Sequence, residues 1–351
     1  MRYLPQIEGR ICNLCYRQIL ENSKHLKYVS MIRTGKKQRK ERTPNFKKLP
    51  AFRKYLEKLR NKRGVDLSPY LHTLDTKNPT SSITCKFFLP TCDADNVREN
   101  DFIEFLSTKI IDYVIESKML DPKRMQDPSY ATDLYRRARR KFSLKNPNSA
   151  EVGELILFVL LESQGIIQIV QKMPLKTNRE MPLHGADGIH VQVKDGLFIL
   201  HFGESKMHAN LNGAINKSIE SIESITDEET GKRKLELDII ATHIDNGKFE
   251  QYADLITELV APYAKDKRRC RDINSIFIGY NWDQLSKLSE RGKSELTTFL
   301  MRKFRETHDE ISEKIVNAVT ESKKLKNQHF HVQFIPFIDT GKFCTRFKKE
   351  L

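Results

Sequence analysis

Residues 184–208 read HGADGIHVQVKDGLFILHFGESKMH. Two runs in this stretch have the look of strands, His190 to Lys194 and Leu197 to Phe202. Asp195-Gly196 between them is a type I′ turn signal. If the loop is those two residues, Val193 faces Phe198, Val191 faces Leu200 and Ile189 faces Phe202. One side of the hairpin is then continuously apolar. The same register sets Asp187 opposite Glu204, and Lys206, two residues on, shares that side. The apolar face therefore ends in two carboxylates and an ammonium.

Two carboxylates side by side repel, and burying them requires a compensating cation. Lys206 is one candidate and a divalent metal is another. Mg²⁺ takes oxygen ligands and keeps several waters, so two carboxylates, a main-chain carbonyl and water suit it. A metal-activated water beside a lysine is a hydrolytic arrangement for a phosphodiester. The bland alternative is an ion-pair cluster that closes a strand end.

The flanks supply the rest of the fold class. Before the hairpin, Phe87 to Leu89 reads as a strand, and Asn96 to Glu116 and Tyr130 to Phe142 as helices. The second of these helices has a basic face of Arg136, Arg137, Arg139, Arg140 and Lys141. Ala150 to Ser163 is an almost wholly apolar helix with Ser149 as its expected N-cap, so it must be buried. Glu154 stands out at the head of its apolar run, Leu155 to Leu161. After the hairpin, Ala209 to Ile225 carries Leu211, Ile215, Ile219 and Ile222 on one stripe. Leu235 to Ile244 and Phe249 to Tyr263 are further helices, Ile273 to Tyr280 a strand, Asp283 to Lys326 mostly helical, and Phe330 to Ile338 a last strand. This order predicts an α/β fold with a mixed central sheet flanked by helices.

Charge separates the N-terminal part from the rest. The chain has 351 residues and a formal net charge of +15. Residues 1–63 contain 19 Lys/Arg and 4 Asp/Glu, and the remaining residues hold 42 of each. Residues 64–82 read as a connector ending in Asn78-Pro79-Thr80-Ser81-Ser82. The expected organisation is thus a basic N-terminal extension, 1–82, and a domain at 83–351 with its core at about 150–282. Lys36, Lys37, Arg39, Lys40, Arg42, Lys47 and Lys48, interleaved with Phe46, Phe52 and Tyr55, suit the phosphate backbone of DNA or RNA. Docking to an acidic partner would use the same charges. Beyond Pro50, the spacing of Phe52, Leu56 and Leu59 predicts a helix.

Cys12-Asn13-Leu14-Cys15 has zinc-knuckle spacing, with His25 as the nearest further ligand and no second C-x-x-C. A Zn²⁺ site there lacks a fourth ligand. His184, His190, His201 and His208 cluster around the hairpin, and His190 faces His201 across it. No cysteines follow to complete a zinc site, so polar packing is the expectation. Six cysteines in 351 residues make no disulfide scaffold. The N-terminus MRYLPQIEGR has no apolar signal core, and no apolar run approaches the roughly 20 residues of a membrane span. A reduced cytoplasm is the expected location.

The spacing from Asp187 to Glu204-Ser205-Lys206 resembles that of the PD-(D/E)xK nuclease superfamily, although Ala186 stands where that superfamily often has proline. The surrounding runs are more specific. GELILFVLLE (153–162), KMPLKTN (172–178), HGADGIHV (184–191) and GESKMH (203–208) closely resemble the HamA family, the nuclease subunit of the bacterial Hachiman anti-phage system. The resemblance covers roughly 85–345 and is densest over 150–225. It implies a restriction-endonuclease-like core and a metal-dependent DNA nuclease. It implies Mg²⁺ or Mn²⁺ held by Asp187, Glu204, the Ser205 carbonyl and Glu154, with Lys206 as the catalytic lysine. It also implies a helicase partner, HamB. The competing expectations are a catalytically silent nucleic-acid-binding or partner-docking module, and a standalone restriction-like endonuclease.

Overall fold

The hairpin forms in the register that its turn and alternation predict. Val191 pairs with Leu200, Val193 with Phe198, and the ladder runs from Lys194–Leu197 down to Gly188–Gly203. Asp195 and Gly196 both have positive φ, 52° and 73°, as a type I′ turn requires. The computed structural model describes residues 45–93, 96–142, 150–173, 185–226, 232–260, 269–286 and 296–351. All lie in one unit, Arg42–Leu351.

Seven strands make one sheet: β1 (Leu71–Thr80), β2 (Ile83–Pro90), β3 (Ile167–Val170), β4 (Gly188–Lys194), β5 (Leu197–His208), β6 (Cys270–Asn281) and β7 (His329–Phe337). Their spatial order is β1-β2-β7-β6-β5-β4-β3. The four central strands, β2, β7, β6 and β5, run parallel, while β1, β4 and β3 are antiparallel to their neighbours. The sheet is mixed, as expected.

The described helices are α1 (Leu49–Arg63), α2 (Glu99–Val114), α3 (Pro128–Arg139), α4 (Glu151–Ser163), α5 (Leu211–Thr226) and α6 (Lys232–His243). They continue with α7 (Asn246–Phe249), α8 (Ala253–Val260), α9 (Asp283–Ser286), α10 (Leu296–Arg305), α11 (His308–Glu321) and α12 (Thr340–Glu350). The strand alternation sorts the core into layers. Phe277, Ile335 and Phe337 pack with α2, α4 and α12 on one face. Ile276, Ile278 and Phe334 pack with α5, α10 and α11 on the other. That second face, towards β3, β4 and β5, is covered by α1, α6 and α8 through residues such as Phe52, Ile240 and Ile256. Helix α4 is buried along its whole apolar run, Leu155 to Leu161. Each such side chain contributes roughly 2 kcal/mol relative to exposure.

Three expectations need correction. Residues 64–82 are no simple connector, because they include β1, which pairs with β2 from Leu71–Pro90 to Thr80–Ile83. β1 is polar, with Pro79 inside it, because it lies at the sheet edge and pairs on one side only. The extension also does not stand apart as far as residue 82. Leu49, Phe52 and Leu56 of α1 are buried against the hairpin layer. The N-cap of α4 is Ala150, which makes no side-chain cap bond; Ser149 lies outside the described residues. β3 and α12 had no counterpart in the sequence reading. Among the described residues, no helix is long and apolar enough to cross a membrane.

Candidate active site

Parallel strands present their carboxyl ends together, and ligands in α/β sheets bind there. β5 carries Glu204, Ser205 and Lys206 towards that end, level with Ile276, Phe277 and Ile278 of β6. Alternation sends Glu204 and Lys206 to the α5 side and Ser205 to the α4 side. Helix α4 comes close at Gly153, where a Cβ would stand 3.2 Å from Ser205 Oγ.

Asp187 sits just beyond the last ladder pair. Its N–H donates to the Gly203 carbonyl at 2.7 Å. Its carboxylate does not simply stand opposite Glu204. Asp187 Oδ2 accepts from Ser205 N at 2.7 Å and from Ser205 Oγ at 2.8 Å. The Ser205 side chain, on the face opposite to Glu204, therefore holds the aspartate.

Glu204 is buried, and Lys206 Nζ donates to its Oε1. Burial is the main force on the Glu204 carboxyl and the neighbouring Asp187 charge is the next. Both raise its pKa, against Lys206 and a hydrogen bond with Ser221, and the carboxyl is pushed up to about 8. Burial disfavours the Lys206 ammonium, but Glu204 and then Asp187 outweigh it, so its pKa lies above the ordinary lysine value.

Glu154 lies in the first turn of α4, where the helix dipole favours a carboxylate. The Tyr113 hydroxyl donates to Glu154 Oε2 at 2.9 Å. Burial and then the Glu154 charge raise the Tyr113 pKa well above its ordinary value, so the phenol remains a donor. Glu154 also acts on Lys206, and Asp187 on Tyr113, so the charges form one electrostatic group. Each carboxylate nevertheless has its own partner: Asp187 has Ser205, Glu204 has Lys206 and Glu154 has Tyr113. Among the described residues, no three His, Cys, Asp or Glu side chains stand together as a metal-holding group.

A sequence model of the HamA family matches residues 67–351. The chain belongs to the HamA family. HamA is a protein of the Hachiman anti-phage system, and this places the chain in Hachiman anti-phage defence. No curated protein matches the chain in sequence. The HamA match takes in β1, Tyr113, Glu154, Asp187, Glu204, Ser205 and Lys206, and it begins after α1.

The other candidate residues fare differently. Lys47 and Lys48 are exposed in the turn that leads into α1. Phe52 and Tyr55 of the same stretch are not a stacking platform for bases. Phe52 is fully buried, its ring 6.4 Å from that of Phe198, and the Tyr55 hydroxyl donates to the Lys248 carbonyl. Lys36, Lys37, Arg39, Lys40 and Arg42 lie outside the described residues, as do Cys12, Cys15, His25 and His184. His190 and His201 pair across the hairpin and are both buried. His201 meets Ser275 Oγ at 2.8 Å, and burial pushes its pKa down to about 3. His208, at the end of β5, accepts from Asn210 N at 3.1 Å.

The sequence reading missed Tyr113 and the Ser205 hydroxyl. Tyr113 lies 41 residues from Glu154 with no motif linking them. The register placed Asp187 opposite Glu204 by face alone, and that overlooked how far the Asp187 side chain reaches.

Proposed function

We propose that this HamA-family chain is a metal-dependent DNA nuclease with a PD-(D/E)xK-type site, the effector of its defence system, controlled by a HamB-like helicase. The observation that carries this reading is the meeting of Asp187, Glu204 and Lys206 at the carboxyl end of β5. A buried carboxyl pushed up to about 8 beside a second carboxylate is short of positive charge, even with its lysine. That donor set suits a hard divalent cation. Asp187, Glu204, Glu154 and the Ser205 carbonyl would hold Mg²⁺ or Mn²⁺, the three carboxylates turning from their present partners Ser205, Lys206 and Tyr113 to do so. The ion would supply Lewis-acid activation of water and neutralise charge developing on the phosphate. Ser205 orients Asp187, Tyr113 orients Glu154, and Lys206 places the attacking water or steadies the phosphate.

The test is cleavage of supercoiled plasmid by the full-length protein in EDTA, Mg²⁺ or Mn²⁺, with Glu204→Ala alongside. Metal-dependent loss of the plasmid with wild type only is the expected result. Cleavage by a well-folded Glu204→Ala protein would remove these residues from the chemistry. A silent binding module would hold DNA equally in EDTA and Mg²⁺ and never cut, with or without the helicase.

A second surface supports a nucleic-acid substrate. α3 and its C-cap expose Arg136, Arg137, Arg139 and Arg140, and only Arg137 among them has an ion pair, with Asp133 at 2.7 Å, among the described residues. Just past α3, the Phe142 ring lies 6.4 Å from that of Tyr113, which bonds Glu154. An exposed arginine face of this kind would seat a phosphate backbone. Replacing Arg136, Arg139 and Arg140 with Ala is expected to weaken binding in EDTA for every DNA sequence. It should flatten the slope of log K against log salt by about 2–3. An unchanged slope would take α3 out of the interface.

A further inference from the structure

Lys172 and Glu236 belong to no part of the site described above. They are 64 residues apart, with side chains 9% and 1% exposed. Lys172 Nζ donates to Glu236 Oε1 at 2.8 Å, to Glu236 Oε2 at 2.7 Å and to the Ala186 carbonyl at 2.5 Å. An ammonium has three donors, and all three are used. Ala186 N donates in turn to Glu236 Oε1 at 3.2 Å. The pair thus takes both the donor and the acceptor of one peptide residue, and that residue directly precedes Asp187.

The neighbouring backbone is shaped to this pair. Gly185 has φ +119°, and a Cβ there would fall 1.8 Å from Glu236 Oε1. Only glycine lets α6 bring its glutamate so near. On the other side, Asp187 N is tied to the Gly203 carbonyl at 2.7 Å. Stability alone is a weak reason to keep such a pair, because apolar replacements of buried ion pairs are often neutral or stabilising.

We propose that Lys172 and Glu236 are positioning residues, a buried ion pair that clamps Ala186 and so fixes where the Asp187 carboxylate stands. The proposal deepens the nuclease reading and rests on it for its catalytic consequence. Lys172→Met alone or Glu236→Leu alone leaves one buried charge without its partner, so both single variants lose thermal stability. Lys172→Met/Glu236→Leu removes both charges and recovers part of the melting temperature that the single variants lose, but it leaves the Ala186 N–H and carbonyl without these partners and the clamp undone.

The experiment compares the full-length wild type with this double variant by melting temperature, amide hydrogen exchange over 185–188, and Mn²⁺-dependent plasmid cleavage. The expected result is a melting temperature above that of either single variant, faster exchange at 185–188, and cleavage slowed by about 100-fold, the scale of a 1 Å misplacement. A double variant that matches wild type in both exchange and cleavage overturns the proposal. Should wild type itself fail to cut with Mn²⁺ and the helicase present, the nuclease reading falls. The exchange comparison then decides the clamp by itself: faster exchange upholds it and equal exchange overturns it. Gly185→Ala, which drives a methyl into Glu236, is expected to reproduce the fast exchange.

Discussion

Lys206→Met is expected to reduce plasmid cleavage by about 10³-fold while leaving Mn²⁺ binding at least as tight as in wild type. The two halves of this result have separate causes. Lys206 donates to Glu204, so the ammonium and a metal ion compete for the same carboxylate. Removing the ammonium removes the competitor, and Glu204 and Asp187 then have more need of a cation. The rate falls because the group that places the water or steadies the phosphate is gone. Glu204→Ala behaves differently, losing metal binding and cleavage together. Lys206 is about a third exposed, so its loss should disturb folding less than loss of a wholly buried partner. Cleavage by purified enzyme and Mn²⁺ titration calorimetry check the two halves. A Lys206→Met protein that still cuts at the wild-type rate would falsify the assignment.

The hairpin was legible because everything that specifies it is local. A type I′ pair and strict alternation determine the register, and the register alone brings Glu204 and Lys206 to the mouth of the sheet beside Asp187. α4 was legible for a similar reason, since an all-apolar helix has nowhere to go but inside. Long-range contacts were not legible. Lys172 and Glu236 meet through the folding of α6 against the loop before Asp187, and no spacing records this. β1 looked like a linker because an edge strand needs little apolar surface. Phe52 and Tyr55 misled in the opposite sense. Aromatic residues among lysines suit a nucleic-acid arm, but at helical spacing they also suit one apolar stripe of α1, and packing against Phe198, Phe249 and Tyr252 decided for the core.

The second large effect concerns acid stability. His201 and His331 are both buried, with ring centroids 6.4 Å apart. Burial holds the His201 pKa down to about 3 and places that of His331 well below 6.5, with help from His201, Lys86 and Lys194. His308, packed on Phe87 with its centroid 3.8 Å away, is lowered to about 4 by burial, against the opposing pull of Asp75. The folded pKa values are depressed, so the native rings stay neutral. Below about 6.5 the unfolded chain binds protons that the native state refuses, and stability falls with pH. Above that value these rings contribute no slope. Each buried ring costs about 1.4 kcal/mol per pH unit, so His201 and His331 together withdraw about 3 kcal/mol per unit. His308 adds less, because Asp75 favours its charged form. Glu204 has the opposite sign. Its folded pKa is raised, so the native state holds a proton that the unfolded chain has released, and between about 8 and 4.5 stability grows as pH falls. One carboxyl offsets about half of the two histidines. Stability in EDTA is therefore expected to peak near pH 6.5 and to fall by at least about 1.4 kcal/mol per unit towards pH 5. Urea unfolding at pH 7.5, 6.5, 5.5 and 5.0 measures this directly. His201→Gln/His331→Gln should flatten the acid limb, and an equally steep limb in that variant would show that other groups control it.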